Sequence, residues 1–483
     1  MIRGLALLLA AAALAVPVAA SGFAPTDPLT SRQWYLSQIH AFDFWPDAPP
    51  VLAPVRVAVI DSGLDLDHPE FAGKVALAQS FVGGDVTDRQ GHGTFVAGII
   101  AAAAGNGQGI SGIALSAQLL VAKVVRSDGT ISPTAEAKAI RWAVNNGARV
   151  INLSLGGLRS RNRNEDTYSA VEQDAIEYAS AEGAVLVAAV GNGDQAPKAP
   201  WDLASYPAAL PHVIGVSALA QDGSVPVFSN RDAFFNDIAA PGVSIVSTLP
   251  RALTAARPGC AEQGYSVCGP AEFRTAEGTS YAAAEVSAAA ALLIAMRPTL
   301  EPDQVSTLLE RSAVDVNAAT GCRRCPLLRD PYSGWGQLDV SAALRALAGP
   351  IPPVDRYESN DDAGARAFAL WGRSIDLTAT LDFWDDQIDV YKVRVSKGQT
   401  VAVALHGPVG VDANLVLWRP GTQRVEGLSP ELQARRLAQS VHAGSSNEHF
   451  LYRARQDGWY YVEVKLPSPG SGQYRLHISK SRA

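Results

Sequence analysis

Gly278-Thr279-Ser280 opens a run to Met296 that is apolar on every side of a helical projection and stops before Pro298. A helix with no polar face has to be enclosed, so the chain must build a body large enough to surround it. Ser280 stands at the N-terminus of this helix, where free backbone N–H groups and the helix dipole favour negative charge. An acyl-transfer nucleophile needs that setting, because its oxyanion must be stabilised. The ordinary alternative is a simple N-cap, a position serine favours.

The enclosing body is legible upstream. Val55–Ile60, Leu119–Val125, Val150–Leu155, Ala184–Val190 and Val213–Ser217 read as buried strands. Thr134–Asn146 and Glu172–Glu182 read as helices between them. Strands alternating with helices predict an α/β fold, a doubly wound parallel sheet. The boundaries follow as a signal peptide at 1–20, an extension at 21–50, a catalytic domain at 51–347 and a Pro-rich linker at 348–355. The extension, centred on Gln33-Trp34-Tyr35-Leu36, is too short to fold alone and is expected to pack along the surface. Residues 349–354 are expected to be nicked readily, leaving a stable catalytic fragment. Beyond the linker, period-two strands such as Tyr391/Val393/Val395 and Tyr474/Leu476/Ile478 predict a small all-β sandwich over 356–483.

The net charge is −7 and no basic block occurs, so nucleic acid is not an expected partner. Residues 1–20 combine Arg3, an apolar stretch from Leu5 to Val16 and a small-residue Val18-Ala19-Ala20 end. They predict export, to the extracellular space or the periplasm, with no stable membrane insertion once removed; an uncleaved anchor is the alternative. A monomer is expected. Export suits the four cysteines, read as two local disulfides, Cys260–Cys268 and Cys322–Cys325, with a four-cysteine zinc site as the rival.

Three further residues gather around the serine. Asp61 follows the first strand, and the carboxyl ends of parallel strands line the crevice of such sheets. Asp65 and Asp67 read as solvated charges, and His68 as a turn residue before Pro69. His92 lies between two glycines at the start of an apolar run, which makes it poor core material and a candidate base. Asn192, flanked by glycines after a strand, can offer its amide to an oxyanion beside the Ser280 N–H. Ser280 would attack a carbonyl, His92 would take and return the proton, and Asp61 would hold the imidazole. The order Asp, His, Ser and the missing Gly-x-Ser-x-Gly elbow set the chain apart from the α/β-hydrolases.

With Val59-Ile60-Asp61-Ser62-Gly63, Gly91-His92-Gly93-Thr94, Ser154-Leu155-Gly156, Val190-Gly191-Asn192 and Gly278-Thr279-Ser280, residues 30–347 resemble a subtilisin-like serine peptidase. The resemblance implies a secreted endopeptidase acting on proteins or peptides. Its catalytic residues would be Asp61, His92 and Ser280, with Asn192 in the oxyanion hole. Ser154, Leu155 and Gly156 would form an edge pairing with the substrate backbone. The family usually has proline where Ala284 stands and glycine where Ala288 stands, changes expected to be mild; Glu285 is read as structural. A large propeptide is not evident in residues 21–50. The tail, by Glu358-Ser359-Asn360-Asp361, Asp386-Gln387-Ile388-Asp389-Val390-Tyr391 and Gly458-Trp459-Tyr460-Tyr461-Val462, resembles a bacterial pre-peptidase C-terminal domain. No cofactor or metal is required for the chemistry. The acidic group Asp382, Asp385, Asp386 is read first as a solvated loop, with structural calcium as the alternative. A pseudo-peptidase that only binds protein and an esterase are the competing functions.

Overall fold

The computed structural model describes residues 23–193, 196–254, 272–351, 355–358, 360–383, 386–425, 430–468 and 470–481. The segment read as an export signal, Cys260 and Cys268, Asp385, Ser359 and the prolines at 352 and 353 lie outside them.

Seven parallel strands form the first sheet: β1 (Val55–Asp61), β2 (Val75–Ser80), β3 (Ala117–Lys123), β4 (Val150–Leu153), β5 (Val185–Ala189), β6 (Val213–Leu219) and β7 (Ile238–Pro241). Their order is β2-β3-β1-β4-β5-β6-β7. The central strands are buried along their whole length, which is why they read as mostly apolar runs. One face carries α1 (His92–Ala101), and the opposite face carries α2 (Pro133–Asn145) and α3 (Ala170–Ala181). The long helix α4 (Thr279–Met296) lies against β4, β5 and β6 and beside α1. All of its residues except Met296 are buried, so its apolar surface is spent inside the protein. It is the one helix among the described residues with the length and hydropathy to cross a membrane. Helices α5 (Pro302–Arg311) and α6 (Val340–Ala346) close the same layer.

Two strands were not foreseen. β2 is a half-exposed edge and β7 has only four residues, so neither carries a strong pattern. The segment before β1 also sits deeper than expected. Tyr35 and Ile39 are fully buried and join the core shared by α1 and α4, and Gln33 bonds the Ser111 backbone in both directions. Surface packing is therefore corrected to insertion.

The tail is a two-sheet sandwich. One sheet has the order Phe368–Leu370, Ile388–Val395, Gly458–Lys465, Asn414–Trp418, Arg436–Ser440; the other runs Ser374–Asp382, Ser471–Lys480, Thr400–His406, Asn447–Arg453. Alternating inward residues such as Val393, Val403, Leu417, Val462 and Leu476 fill the space between them. Cys322 and Cys325 form a disulfide in the loop after α5.

Candidate active site

β1 delivers Asp61 at its carboxyl end, and α1 begins on His92. The imidazole Nδ1 lies 2.9 Å from both Asp61 carboxylate oxygens. Asp61 is buried, whereas the His92 side chain is one-third exposed. Burial works against a charged imidazole, but the Asp61 carboxylate, with Asp88 behind it, outweighs that and holds the His92 pKa above its ordinary 6.5. The approach of the two elements depends on Gly93, where a Cβ would stand 2.3 Å from the Gly63 carbonyl oxygen.

Asp88 fixes this loop. Its Oδ1 accepts from the Ser62 hydroxyl and from the N–H groups of Gln90 and Gly91, and its Oδ2 accepts from Thr94 N–H and hydroxyl. The Ser62 hydroxyl in turn accepts from Gly93 N–H at 2.9 Å. Sequence reasoning gave Asp88 no role, since a loop aspartate is by default a solvated charge.

Ser280 is the second residue of α4 and its side chain is buried to within a few per cent. Its hydroxyl donates to the Ser154 carbonyl at 3.2 Å, while Ser154 Oγ donates to the Ser280 carbonyl at 2.7 Å. Among the described residues no hydrogen bond joins Ser280 to His92. Their nearness shows in the rings: His92 lies 5.8 Å from Tyr281, the next residue along. Behind Ser154, Asn152 Nδ2 donates to the Ser154 hydroxyl and Ser287 donates to Asn152, locking the strand end to α4. Asn192 follows β5, and its Oδ1 accepts from both Thr279 N–H and Thr279 hydroxyl at 2.9 Å.

Ser280, Thr279 and Asn192 line a cavity of about 170 Å³ together with Ser154, Leu155, Gly156, Leu158, Ala189 and Gly191. The Ser205 hydroxyl and Asn230, whose amide donates to it at 3.2 Å, close the floor. No ionisable side chain lines it among the described residues. Leu155 is among the lining residues, whereas Val190 is fully buried and is not.

Residues 53–336 match the model of the family described as the subtilase family. The chain belongs to the subtilase family. This subtilase is 36% identical to thermitase of Thermoactinomyces vulgaris over 262 residues, which span 53% of the chain and 88% of that relative. It is 33% identical over 295 residues to subtilisin DY of Bacillus licheniformis, 61% of the chain and 92% of the relative. Among solved structures it is similar to sphericase, at 28% identity and a TM-score of 0.51, covering 64% of the chain and 99% of the other. The subtilase is thus a serine endopeptidase of the subtilisin type, and its substrates are proteins or peptides.

The departures from the family pattern are all buried. Ala284 and Ala288 are fully enclosed in α4. Glu285 is fully buried too, with neither carboxylate oxygen bonded, and burial raises its pKa well above the ordinary value, so it is held neutral.

Of the acidic group in the tail, Asp382 pairs with Arg311 at 2.5 Å. The structure instead draws together Glu358, Asp361 and Asp386, whose oxygens all lie within 4.8 Å of one another. Asp385 lies outside the described residues, and Asp382, with Arg311 as its partner, is not among the three.

Proposed function

We propose that this subtilase is an exported endopeptidase working through Asp61, His92 and Ser280. The observation that carries the reading is the Asp61–His92 pair, with Ser280 at the start of a buried helix and Asn192 lining the same cavity. Both Asp61 oxygens face Nδ1, which fixes the tautomer that leaves Nε2 able to accept a proton. On substrate arrival the Ser280 hydroxyl exchanges the Ser154 carbonyl for the imidazole, a tightening typical of that step. The oxygen then attacks the peptide carbonyl while His92 takes its proton and passes it to the leaving amine. Negative charge develops where the Ser280 N–H and the Asn192 amide converge. Ser154, Leu155 and Gly156 pair with the substrate backbone as an added strand, and the cavity below receives the side chain before the cleaved bond.

Calcium would have a structural role only. Glu358 Oε1 and Asp361 Oδ1 are buried without a hydrogen-bond partner, and hard carboxylate oxygens suit that ion. Bound by Glu358, Asp361 and Asp386, it would screen their mutual repulsion at the root of the tail, which we read as a pre-peptidase C-terminal domain.

Casein hydrolysis by the full chain, abolished by a peptidyl phosphonate that adds to Ser280, is the expected result. A chain that binds casein without cleaving it and takes up no phosphonate would overturn the reading.

A further inference from the structure

Tyr206 is part of the frame of the substrate cavity. It follows Ser205 on the floor, and its backbone exchanges two hydrogen bonds of 2.9 Å with Gly157, just beyond the Ser154–Gly156 edge. The fit is close: a Cβ on Gly156 would lie 2.5 Å from the Tyr206 carbonyl oxygen. The Tyr206 ring packs edge-on against Tyr168, with centroids 5.8 Å apart. Into this pair reaches a residue of the tail. The guanidinium carbon of Arg424 sits 3.9 Å from the centre of the Tyr168 ring. Burial pushes the Tyr206 hydroxyl pKa up, and the Arg424 charge offsets part of that push.

Arg424 is itself held in place. The next residue, Val425, donates its N–H to Asp362 Oδ1 at 2.6 Å. Asp362 Oδ2 accepts from Gln173 Nε2 at 3.2 Å, and Gln173 Oε1 accepts from the Tyr168 hydroxyl at 2.6 Å. The circuit Arg424–Val425–Asp362–Gln173–Tyr168 therefore closes across the two domains. A guanidinium stacked on a ring and half-shielded from water is in the setting where cation–π attraction counts.

We infer that Arg424, carried by the tail, is a positioning residue for the substrate cavity of the catalytic domain. Through Tyr168 it sets the stance of Tyr206, and through Tyr206 the Gly157 bridge and the Ser205 floor. The inference rests on the reading of the cavity proposed above. Substrates whose side chain fills the cavity feel that stance; those with a small side chain, held by the Ser154–Gly156 edge alone, do not.

The test compares full-length Arg424→Ala and Arg424→Lys with the wild type. The substrates are chromogenic peptides that differ only in having Phe or Ala before the cleaved bond, and active sites are counted with a peptidyl phosphonate. KM for the Phe peptide should rise roughly 3- to 10-fold in Arg424→Ala, with kcat/KM for the Ala peptide within about twofold. Arg424→Lys, which keeps a cation over the ring without the planar stack, should fall between. A merely structural role would lower the count of active sites and leave the Phe-to-Ala ratio unchanged. That unchanged ratio, in either variant, overturns the inference. A wild type that takes up no phosphonate sinks the reading of the cavity itself.

Discussion

Asn192 Oδ1 accepts two hydrogen bonds from Thr279, so the asparagine is gripped by its carbonyl end and its amide is left to face the cavity. The grip and the donation can be separated. Asn192→Asp keeps an acceptor for Thr279 and loses the donor; Asn192→Ala loses both. Each should lower kcat by about 10²–10³, the scale seen for the matching amide of subtilisin, with little change in KM. Stopped assays with a saturating peptide decide it. Full activity in Asn192→Asp would mean that the oxyanion is held elsewhere.

The pH profile should carry the mark of the Asp61–His92 contact. The imidazole must be neutral to accept a proton, and its pKa is held above 6.5 by Asp61 against the effect of burial. Activity, followed as kcat/KM, should therefore fall on acidification with a midpoint above 6.5, not below it. Asp61→Asn removes the cause of the upward shift, so the midpoint should move to lower pH while kcat drops by about 10⁴. An acid limb that stays put in Asp61→Asn would detach it from His92.

Much of this was legible because the chemistry sits where strands and helices begin and end. β1, β5 and α4 are predominantly apolar runs, and Asp61, Asn192 and Ser280 are polar residues at their termini. What stayed hidden depends on partners far apart in the chain. Asp88 looks like any loop aspartate until its five hydrogen bonds are seen. Gln33 and Tyr35 sit in a Pro- and Trp-rich stretch without periodicity, yet they bond to the backbone of residues 78 and 211 positions further along. Tyr168, Ser205 and Asp362 have no local signal at all, and their relation exists only once the tail is docked.

Glu136 on α2 and Glu172 on α3 meet in the interior, and the pair gives a pH-dependent stability. Burial is the main cause of both upward shifts, Glu172 being pushed up to about 7 and Glu136 well above its ordinary value. The unfolded chain releases these protons near pH 4.5, whereas the folded chain keeps them. Their contribution to stability is thus neutral below that pH and turns unfavourable as pH rises toward 7. Glu172→Gln should raise the thermal midpoint by roughly 2–5 °C at pH 8 and hardly at all at pH 4. Equal shifts at both pH values would contradict the shared burial.

Calcium should act on stability and not on chemistry. With Glu358, Asp361 and Asp386 as its ligands, chelation by EDTA should lower the thermal midpoint of the full chain, and added calcium should restore it. Glu358→Gln should abolish the response while leaving kcat of phosphonate-counted enzyme unchanged. A midpoint indifferent to EDTA in the wild type would mean that the three carboxyl groups bind no ion.

The last prediction concerns the Pro-rich linker, where ready nicking to a stable catalytic fragment was the natural expectation. The interface argues for a different outcome. Arg366 of the tail pairs with Asp174 and Glu177 on α3, at 2.6 and 2.9 Å. His212, almost fully buried beside β6, lies 2.9 Å from Asp361 of the tail and 3.5 Å from Glu177. Lys465 stacks on Phe234, and Ile388 faces Leu186, Phe234 and Phe235 across a cavity of about 100 Å³. Removing the tail takes Asp361 from His212 and Arg366 from Glu177 and uncovers these apolar groups; losing one partner of a buried pair costs about 3–5 kcal/mol. Truncation after Leu347 should therefore lower the thermal midpoint and increase binding of a hydrophobic dye. Burial alone would lower the His212 pKa, but Asp361 and Glu177 outweigh it and hold that pKa well above 6.5. A raised histidine stabilises below its unfolded pKa and loses that contribution as pH rises through the folded one. The midpoint advantage of the full chain over the truncated one should accordingly be large at pH 6 and shrink in strongly alkaline solution. A nicked protein should likewise co-elute as two fragments at pH 6 and separate more readily at alkaline pH. A truncated chain as stable as the whole at pH 6 would show that the tail is a passenger on its linker.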